Sequence, residues 1–154
     1  FDVETIGLRQ SPEKGGPTDE VRGHDEAGLH DALAKTEYLV LAAPATAETR
    51  GMIDEAALAT LPPEAVVVNV ARGSLVDTDA LVRALQTNAI RGAALDVTDP
   101  EPLPADHPLW RLENAIVTPH TGGHTPEHWP RLAEIVAHNA RQLDAASPSF
   151  ENVV

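Results

Sequence analysis

Four apolar runs, each the length of a β-strand, constrain the fold of this chain more than any other feature of its sequence. They are Tyr38–Ala43, Ala65–Val70, Gly92–Val97 and Ala115–Thr118, and turn-forming residues follow each of them. A weaker fifth run, Val3–Leu8, opens the chain. Strands that are apolar along their whole length are buried on both faces, which is typical of parallel strands covered by helices. We therefore predict an α/β fold with a doubly wound parallel sheet and helices on both faces.

Helical segments are predicted between these strands, where apolar residues recur three or four positions apart. The segments are Asp25–Lys35, Asp54–Leu61, Thr78–Asn88 and about Pro130–Ala145. Asp54 and Asp77 are expected to cap the second and third helices, because an aspartate side chain accepts the free amide hydrogens of a first turn. The apolar face of the last helix is predicted to consist of Leu132, Ile135, Val136 and Leu143. Two stretches rich in Pro, Gly and Asp, Gln10–His24 and Thr98–Asn114, are predicted to be irregular.

The composition excludes several classes of function. The 154 residues include 24 acidic and 11 basic side chains and no cysteine, and the net charge is -13. Without cysteine the chain can form no disulfide, thiolate nucleophile or cysteine-ligated zinc site. The negative charge argues against nucleic acid or an anionic membrane surface as a partner, and no apolar run reaches the ~20 residues that span a bilayer. The excess of acids, with few lysines, suggests the hypothesis of a protein from a salt-rich cytoplasm.

Polar residues follow the predicted strands at the edge where ligands of open parallel sheets bind. They are Arg9, Arg72, Asp96 and His120, with Pro44 after the first long run and Glu101 in the loop beyond Asp96. The imidazole of His120 suits a general acid or base, and pairing with Glu101 would favour its protonated form. Arg72 could hold a carboxylate with two parallel hydrogen bonds.

Each of these three side chains, taken singly, is more often an ordinary loop residue than a catalytic one. His120 could be hydrogen-bonded within its loop, Glu101 could be solvated, and Arg72 could cap a helix or pair with Asp77. Asp96 differs, because a carboxylate within an apolar strand is costly to bury without a partner. A ligand amide or a cation at the strand end would supply that partner.

Several blocks, taken together and in order, resemble the nucleotide-binding domain of the D-isomer-specific 2-hydroxyacid dehydrogenases. The blocks are Ala43–Gly51, Val68–Asp77, Gly92–Val97 with Glu101-Pro102, and Thr118–Gly122. They extend over essentially the whole chain, from the second strand of a Rossmann-like fold to the final helix. Any one block is a weak signal, whereas their common order is a specific one.

The resemblance implies a role for each candidate residue. Arg72 corresponds to the arginine that orients the keto acid, His120 to the proton donor and Glu101 to the glutamate that assists it. Contacts with a nicotinamide cofactor are implied at Ala43, Pro44, Val70, Ala71, Asp96, Gly122 and Gly123. Arg9 stands where NAD-preferring members usually carry an acid, so Arg9, Gln10 and Ser11 are expected to favour the 2′-phosphate of NADP. The implied reaction is hydride transfer between NADP(H), or alternatively NAD(H), and a 2-keto or D-2-hydroxy acid.

The chain departs from the family pattern at its start. No Gly-x-Gly-x-x-Gly motif occurs in it, although this motif lies ~20 residues before the residue that reads the ribose. We therefore expect the first βα unit, the phosphate loop and most of the substrate domain to lie upstream of Phe1. Residues 1–145 are expected to form an incomplete nucleotide-binding domain, and residues 146–154 a tail that returns to the substrate domain. The resemblance also implies a cytoplasmic homodimer.

Three alternatives remain open at this point. Nucleotide-sensing corepressors similar to this family keep the same three residues, so a regulatory protein without turnover is the main alternative. The spacing of His120, His124 and His128 would suit metal-assisted hydrolysis on a continuous helix, but Gly122 and Pro126 interrupt any helix there. Formate oxidation is disfavoured, because the family members that perform it carry glutamine in place of Glu101.

Overall fold

The apolar runs form parallel strands in the computed structural model, which describes residues 2–143 and 147–152. Strands β1 (Ile6–Leu8) and β2 (Glu20–Arg22) form a two-stranded sheet. A second sheet contains, in this order, β3 (Tyr38–Leu41), β4 (Val66–Asn69), β5 (Gly92–Leu95) and β6 (Ala115–Val117). All of these pairings are parallel. The predicted Rossmann-like class, parallel strands alternating with helices, is confirmed.

The helices lie where the periodicity places them. They are α1 (Glu26–Leu33), α2 (Glu55–Thr60), α3 (Thr78–Gln86) and α4 (His128–Gln142). The carboxylates of Asp54 and Asp77 accept first-turn amide hydrogens at 2.8 and 2.9 Å, so both predicted N-caps are confirmed. The last helix begins two residues before the predicted Pro130, and its predicted end at Ala145 lies outside the described residues.

The prediction that Gln10–His24 is irregular is wrong in part, because this stretch contains β2 and a single 3₁₀ turn, Pro12–Lys14. Strand β2 has the sequence Glu-Val-Arg and carries no apolar run, so periodicity cannot reveal it. It forms because β1 provides a parallel partner. The other stretch predicted to be irregular, Thr98–Asn114, likewise contains one 3₁₀ turn, Pro108–Arg111.

Polar side chains join β2 to its surroundings. The backbone amide and the hydroxyl of Thr5 both donate to the carboxylate of Asp19, at 2.9 and 2.6 Å, and these hydrogen bonds lower the pKa of Asp19. The guanidinium of Arg22 pairs with Glu20 at 2.5 Å and with Asp31 of α1 at 3.0 Å. The hydrogen bond from Arg22 lowers the pKa of Glu20, and Glu20 in turn raises the pKa of Arg22.

The hydrophobic core lies on one face of the four-stranded sheet. Alternate strand residues such as Val67, Ala93 and Leu95 are buried there together with apolar residues of α2 and α3. On the opposite face, Val40 and Ile116 remain 58% and 64% exposed. The sheet is thus packed fully on the side that α2 and α3 cover.

The chain divides into two compact units, residues 1–119 and residues 120–154. The first contains both sheets and helices α1 to α3. The second contains α4, whose predicted apolar residues Leu132, Val136 and Leu143 are exposed. Within this unit the carboxamide of Asn139 forms two hydrogen bonds with the backbone of Glu151. No helix in the described ranges is long and apolar enough to cross a membrane.

Candidate functional site

The carboxyl ends of the strands lie side by side at one edge of the four-stranded sheet. The amide of Asp96, just after β5, donates to the carbonyl of Asn69 in β4 at 2.9 Å. The amide of Thr118, just after β6, donates in the same way to Leu95 at 2.9 Å. The segments that follow neighbouring strands therefore begin at the same edge of the sheet. The expected convergence on one edge is confirmed for Pro44, Arg72 and Asp96, whereas Arg9 follows a strand of the other sheet.

The turn that carries Arg72 is held from inside the protein by Asn69. The Asn69 side chain is 1% exposed; its carbonyl oxygen accepts the amide of Ala71 at 3.0 Å, and its amide donates to the carbonyl of Arg72 at 2.9 Å. The Arg72 side chain is itself exposed and donates to the Ala71 carbonyl at 2.6 Å. Among the described residues Arg72 forms no ion pair, so pairing with Asp77 does not account for it. Its guanidinium is open to a ligand anion.

The predicted strand Gly92–Val97 ends earlier, at Leu95, so Asp96 follows its strand directly and is half-buried. The smaller burial reduces the cost of its charge. The hydroxyl of Thr118 donates to the Asp96 carboxylate at 2.5 Å, which orients the carboxylate across the gap between β5 and β6.

The segment after β3 supplies an ordered backbone rather than a charged group. Thr49 is nearly buried, and its hydroxyl donates to the carbonyl of Pro44 at 2.7 Å while accepting the amide of Thr46 at 2.8 Å. The predicted cofactor contacts Ala43 and Pro44 are half-buried and exposed, respectively. Val70, at the end of the neighbouring strand, is 51% exposed despite its apolar side chain.

The loop of Glu101 packs against the turn of Arg72. A Cβ placed on Gly73 would lie 2.0 Å from the carbonyl carbon of Thr98, so only glycine permits the approach of the two backbones. The hydroxyl of Thr78 also donates to the carbonyl of Asp99 at 2.8 Å. Glu101 itself is exposed. The segments that carry Arg72 and Glu101 therefore form one tightly packed arrangement.

Arg9 follows β1, and its amide donates to the carbonyl of Arg22 at 3.1 Å. Its guanidinium donates to the carbonyl of Gly15, at the end of the Pro12–Lys14 turn. Gln10 is exposed, and Ser11 precedes the turn. These residues lie at the end of the two-stranded sheet, which is a different hydrogen-bonded sheet from the four-stranded one.

His120 opens the second compact unit and has a φ of 55°, in the left-handed region that non-glycine residues rarely adopt. Such conformations are found preferentially at functional sites, where surrounding structure maintains them. Gly122 and Gly123 follow in an exposed turn.

The histidines considered for metal binding do not share a helix, because α4 begins only at His128. The rings of His124 and His128 have centroids 6.3 Å apart. Within the described ranges, no three His, Cys, Asp or Glu side chains form a group that could hold a metal ion.

Four residues that the sequence reasoning did not single out shape this site: Asn69, Gly73, Thr118 and Thr49. A signal existed for Asn69, which is a polar residue at the end of an otherwise apolar strand and so falls under the same burial argument as Asp96. Gly73 and Thr118 had no such signal, since their partners are distant in the sequence. The partners of Thr49 are near, but a threonine among other polar loop residues does not stand out.

Comparisons with known proteins agree with this fold. Residues 1–122 match the family "D-isomer specific 2-hydroxyacid dehydrogenase, NAD binding domain". A glyoxylate reductase of Pyrococcus furiosus is 42% identical over 117 residues, which are 76% of this chain and 34% of that protein. This chain spans half or less of the length of such curated relatives.

Solved structures of high similarity include a D-isomer specific 2-hydroxyacid dehydrogenase from Xanthobacter autotrophicus Py2 in complex with NADPH and MES. It has a TM-score of 0.83 and 34% identity over 97% of this chain and 60% of that one. A glyoxylate/hydroxypyruvate reductase from Sinorhizobium meliloti in complex with NADP and malonate has a TM-score of 0.80 at 26% identity, over 100% of this chain and 49% of that one. With its parallel sheet and these matches, the chain belongs to the D-isomer-specific 2-hydroxyacid dehydrogenase family, whose NAD-binding domain it matches.

Proposed function

We propose that the protein containing this chain is an oxidoreductase that transfers a hydride between NADP(H) and a small 2-keto or D-2-hydroxy acid. The observation that carries the proposal is the exposed guanidinium of Arg72, which forms no ion pair with any described residue and lies on a turn held by Asn69 at the carboxyl edge of the sheet. A planar guanidinium held in this way suits bidentate binding of a substrate carboxylate. Glyoxylate is the first substrate to test, since glyoxylate reductases are among the similar proteins.

The residues at the edge fit a nicotinamide cofactor. Val70 and Ala43 offer apolar surface at the strand ends, and the carboxylate of Asp96 beside them can accept hydrogen bonds from an amide. Arg9 offers a cation for a phosphate. A reduced nicotinamide bound there would supply the hydride for the carbonyl carbon.

The chain's own residues then supply the remaining steps. Arg72 binds the substrate carboxylate and stabilises the negative charge that develops on the carbonyl oxygen. His120 donates a proton to that oxygen as its bond to carbon becomes single, and Glu101 favours the protonated imidazole. The left-handed backbone at His120 supports the role of this residue. In the reverse direction the neutral imidazole accepts the hydroxyl proton.

The proposal is tested by steady-state oxidation of NADPH with glyoxylate in the full-length protein, comparing the wild type with His120→Asn. Asparagine tolerates the left-handed backbone but cannot donate a proton as imidazolium does, so we expect kcat to fall by roughly 10²–10⁴-fold. The dissociation constant of NADPH should stay nearly unchanged. Unchanged turnover in the variant would refute the role of His120, and tight NADPH binding without turnover in the wild type would favour a nucleotide-sensing regulator.

A further inference from the structure

We propose that Asn69 is a positioning residue that acts through Arg72, an inference that rests on the proposed function and extends it to a residue below the site. Asn69 ends β4 on the face that otherwise packs apolar side chains, in register with Leu41 and Leu95. A carboxamide at such a place is destabilising unless both of its ends are hydrogen-bonded.

The oxygen and the nitrogen of the Asn69 carboxamide both form hydrogen bonds with the turn of Arg72. The oxygen accepts the amide of Ala71, in the peptide unit before that residue, and the nitrogen donates to the carbonyl of Arg72, in the peptide unit after that residue, so the side chain spans residues 71 and 72. The backbone of Arg72 then has φ -149° and ψ 140°, an extended conformation. The backbone from which the Arg72 side chain extends is therefore held by a buried amide, while the guanidinium itself donates to the carbonyl of Ala71.

The other side of the turn is closed by backbone alone. Gly73 lies against Thr98 and Asp99, and a Cβ there would lie 2.5 Å or less from their backbone atoms. The turn can move neither inward, where Asn69 holds it, nor toward residues 98–99. A guanidinium mounted on a turn restrained in this way loses little freedom when it binds a carboxylate, and that preorganisation raises kcat/KM.

A double-mutant cycle in the full-length protein tests this role, with kcat/KM for glyoxylate measured at saturating NADPH so that cofactor affinity does not enter. Asn69→Ala should lower kcat/KM about tenfold, chiefly through KM, because both hydrogen bonds on the turn are lost. In an Arg72→Ala background the same substitution should change kcat/KM less than about twofold, since the residue through which it acts is gone.

Asn114→Ala is the matched control. Asn114 is half-buried and donates to the carbonyl of Leu85 at 3.1 Å, just before β6 and at the opposite end of the sheet from Arg72. The Asn114→Ala variant should have a lower melting temperature, as Asn69→Ala should, and a kcat/KM within about twofold of the wild type. Should Asn69→Ala fail to fold, Asn69→Asp keeps the shape and the acceptor for Ala71 but places an acceptor oxygen against the carbonyl of Arg72, and it should lower kcat/KM only where Arg72 is present.

The outcomes separate this inference from the proposed function. An equal loss of kcat/KM on Asn69 substitution with and without Arg72 would show a general structural role and overturn the inference, as would an unchanged kcat/KM in the single variant. An Arg72→Ala protein with full glyoxylate reductase activity would instead overturn the proposed function itself.

Discussion

At the scale of single residues, the site combines the exposed guanidinium of Arg72 with polar side chains that are hydrogen-bonded in place. Arg72 is exposed, whereas Asn69 below it is 1% exposed and bonded at both ends. Asp96 is oriented by the hydroxyl of Thr118. Buried or half-buried polar side chains thus hold the backbone, and the exposed side chain is left to bind a ligand.

Cofactor choice is predicted at this scale from Arg9. Replacing it by aspartate removes the cation proposed for the 2′-phosphate and adds an acceptor for ribose hydroxyls, so NADPH should bind at least tenfold more weakly and NADH as well or better. Fluorescence titration of the full-length protein with both cofactors measures this. Arg111→Asp carries the same change of charge on an exposed residue of the 108–111 turn and should leave the NADPH-to-NADH ratio unaltered. An unchanged ratio in the Arg9 variant would contradict the assignment.

At the scale of elements, two kinds of contact hold neighbouring segments together. Backbone packing at Gly73 joins the turn after β4 to the loop after β5. Side-chain hydrogen bonds between Thr5 and Asp19 join the segments that precede β1 and β2. The first contact lies at the site and the second lies away from it, so they should respond differently to substitution.

Gly73→Ala should separate the turn of Arg72 from the loop of Glu101. The added methyl group overlaps backbone atoms that cannot rotate away, and such overpacking costs about 1–3 kcal/mol. We expect a lower free energy of unfolding in urea together with at least a tenfold loss of kcat/KM for glyoxylate, because the two segments move apart. Gly51→Ala is a useful comparison, because Gly51 has a φ of 66° and no atom lies within 4 Å of an added Cβ. Alanine at this position should lower the free energy of unfolding without the loss of activity. Activity retained in the Gly73 variant would contradict the prediction.

Thr5→Val should make the stability of the protein less dependent on pH. In the folded protein the pKa of Asp19 is lowered by the hydrogen bonds from Thr5, so the carboxylate contributes stability above its ordinary pKa of ~3.9, and this contribution is lost as pH falls through the lowered value. The variant should therefore be less stable than the wild type at pH 7, with a difference that narrows below about pH 4. Urea unfolding at several pH values measures this, and a difference that stays constant with pH would contradict it.

At the scale of the whole molecule, the net charge of -13 opposes the binding of a polyanionic cofactor. Local cations such as Arg9 reduce the repulsion near the site, and salt reduces it at longer range. Exposed apolar residues, Val40 and Ile116 on the sheet and Val136 on α4, are typical of surfaces that another chain or segment covers. The homodimer remains a prediction.

Higher ionic strength should therefore maintain or increase the stability of this protein and its affinity for NADPH. Screening lengths fall from ~10 Å at 0.1 M to ~3 Å at 1 M salt, which weakens repulsion among the carboxylates and between them and the cofactor. We expect thermal stability and NADPH affinity in the full-length protein to hold or rise as KCl increases over this range. A monotonic loss of both activity and cofactor affinity with added salt would reject the hypothesis of a salt-rich cytoplasm.

The sequence by itself determined the features that depend on neighbouring residues. Apolar runs predict the four strands of the larger sheet, and Asp54 and Asp77 predict the starts of two helices, because caps and periodicity act over a few positions of the chain. The family blocks also predict which side chains follow the strands. Their chemistry remains a proposal, since roles depend on ligands and on residues beyond these blocks.

Only the tertiary structure decided which distant residues meet. Strand β2 exists because β1 lies beside it, and Gly73 is required because residue 98 approaches it. The hydrogen bonds of Asn69 to the turn of Arg72 are local, but the sheet and its packing decide that this side chain is buried. None of these features leaves a periodic signal, because each depends on contacts between segments. Short-range sequence patterns thus determine the helices and strands, while the fold positions the backbone segments that carry the proposed catalytic residues.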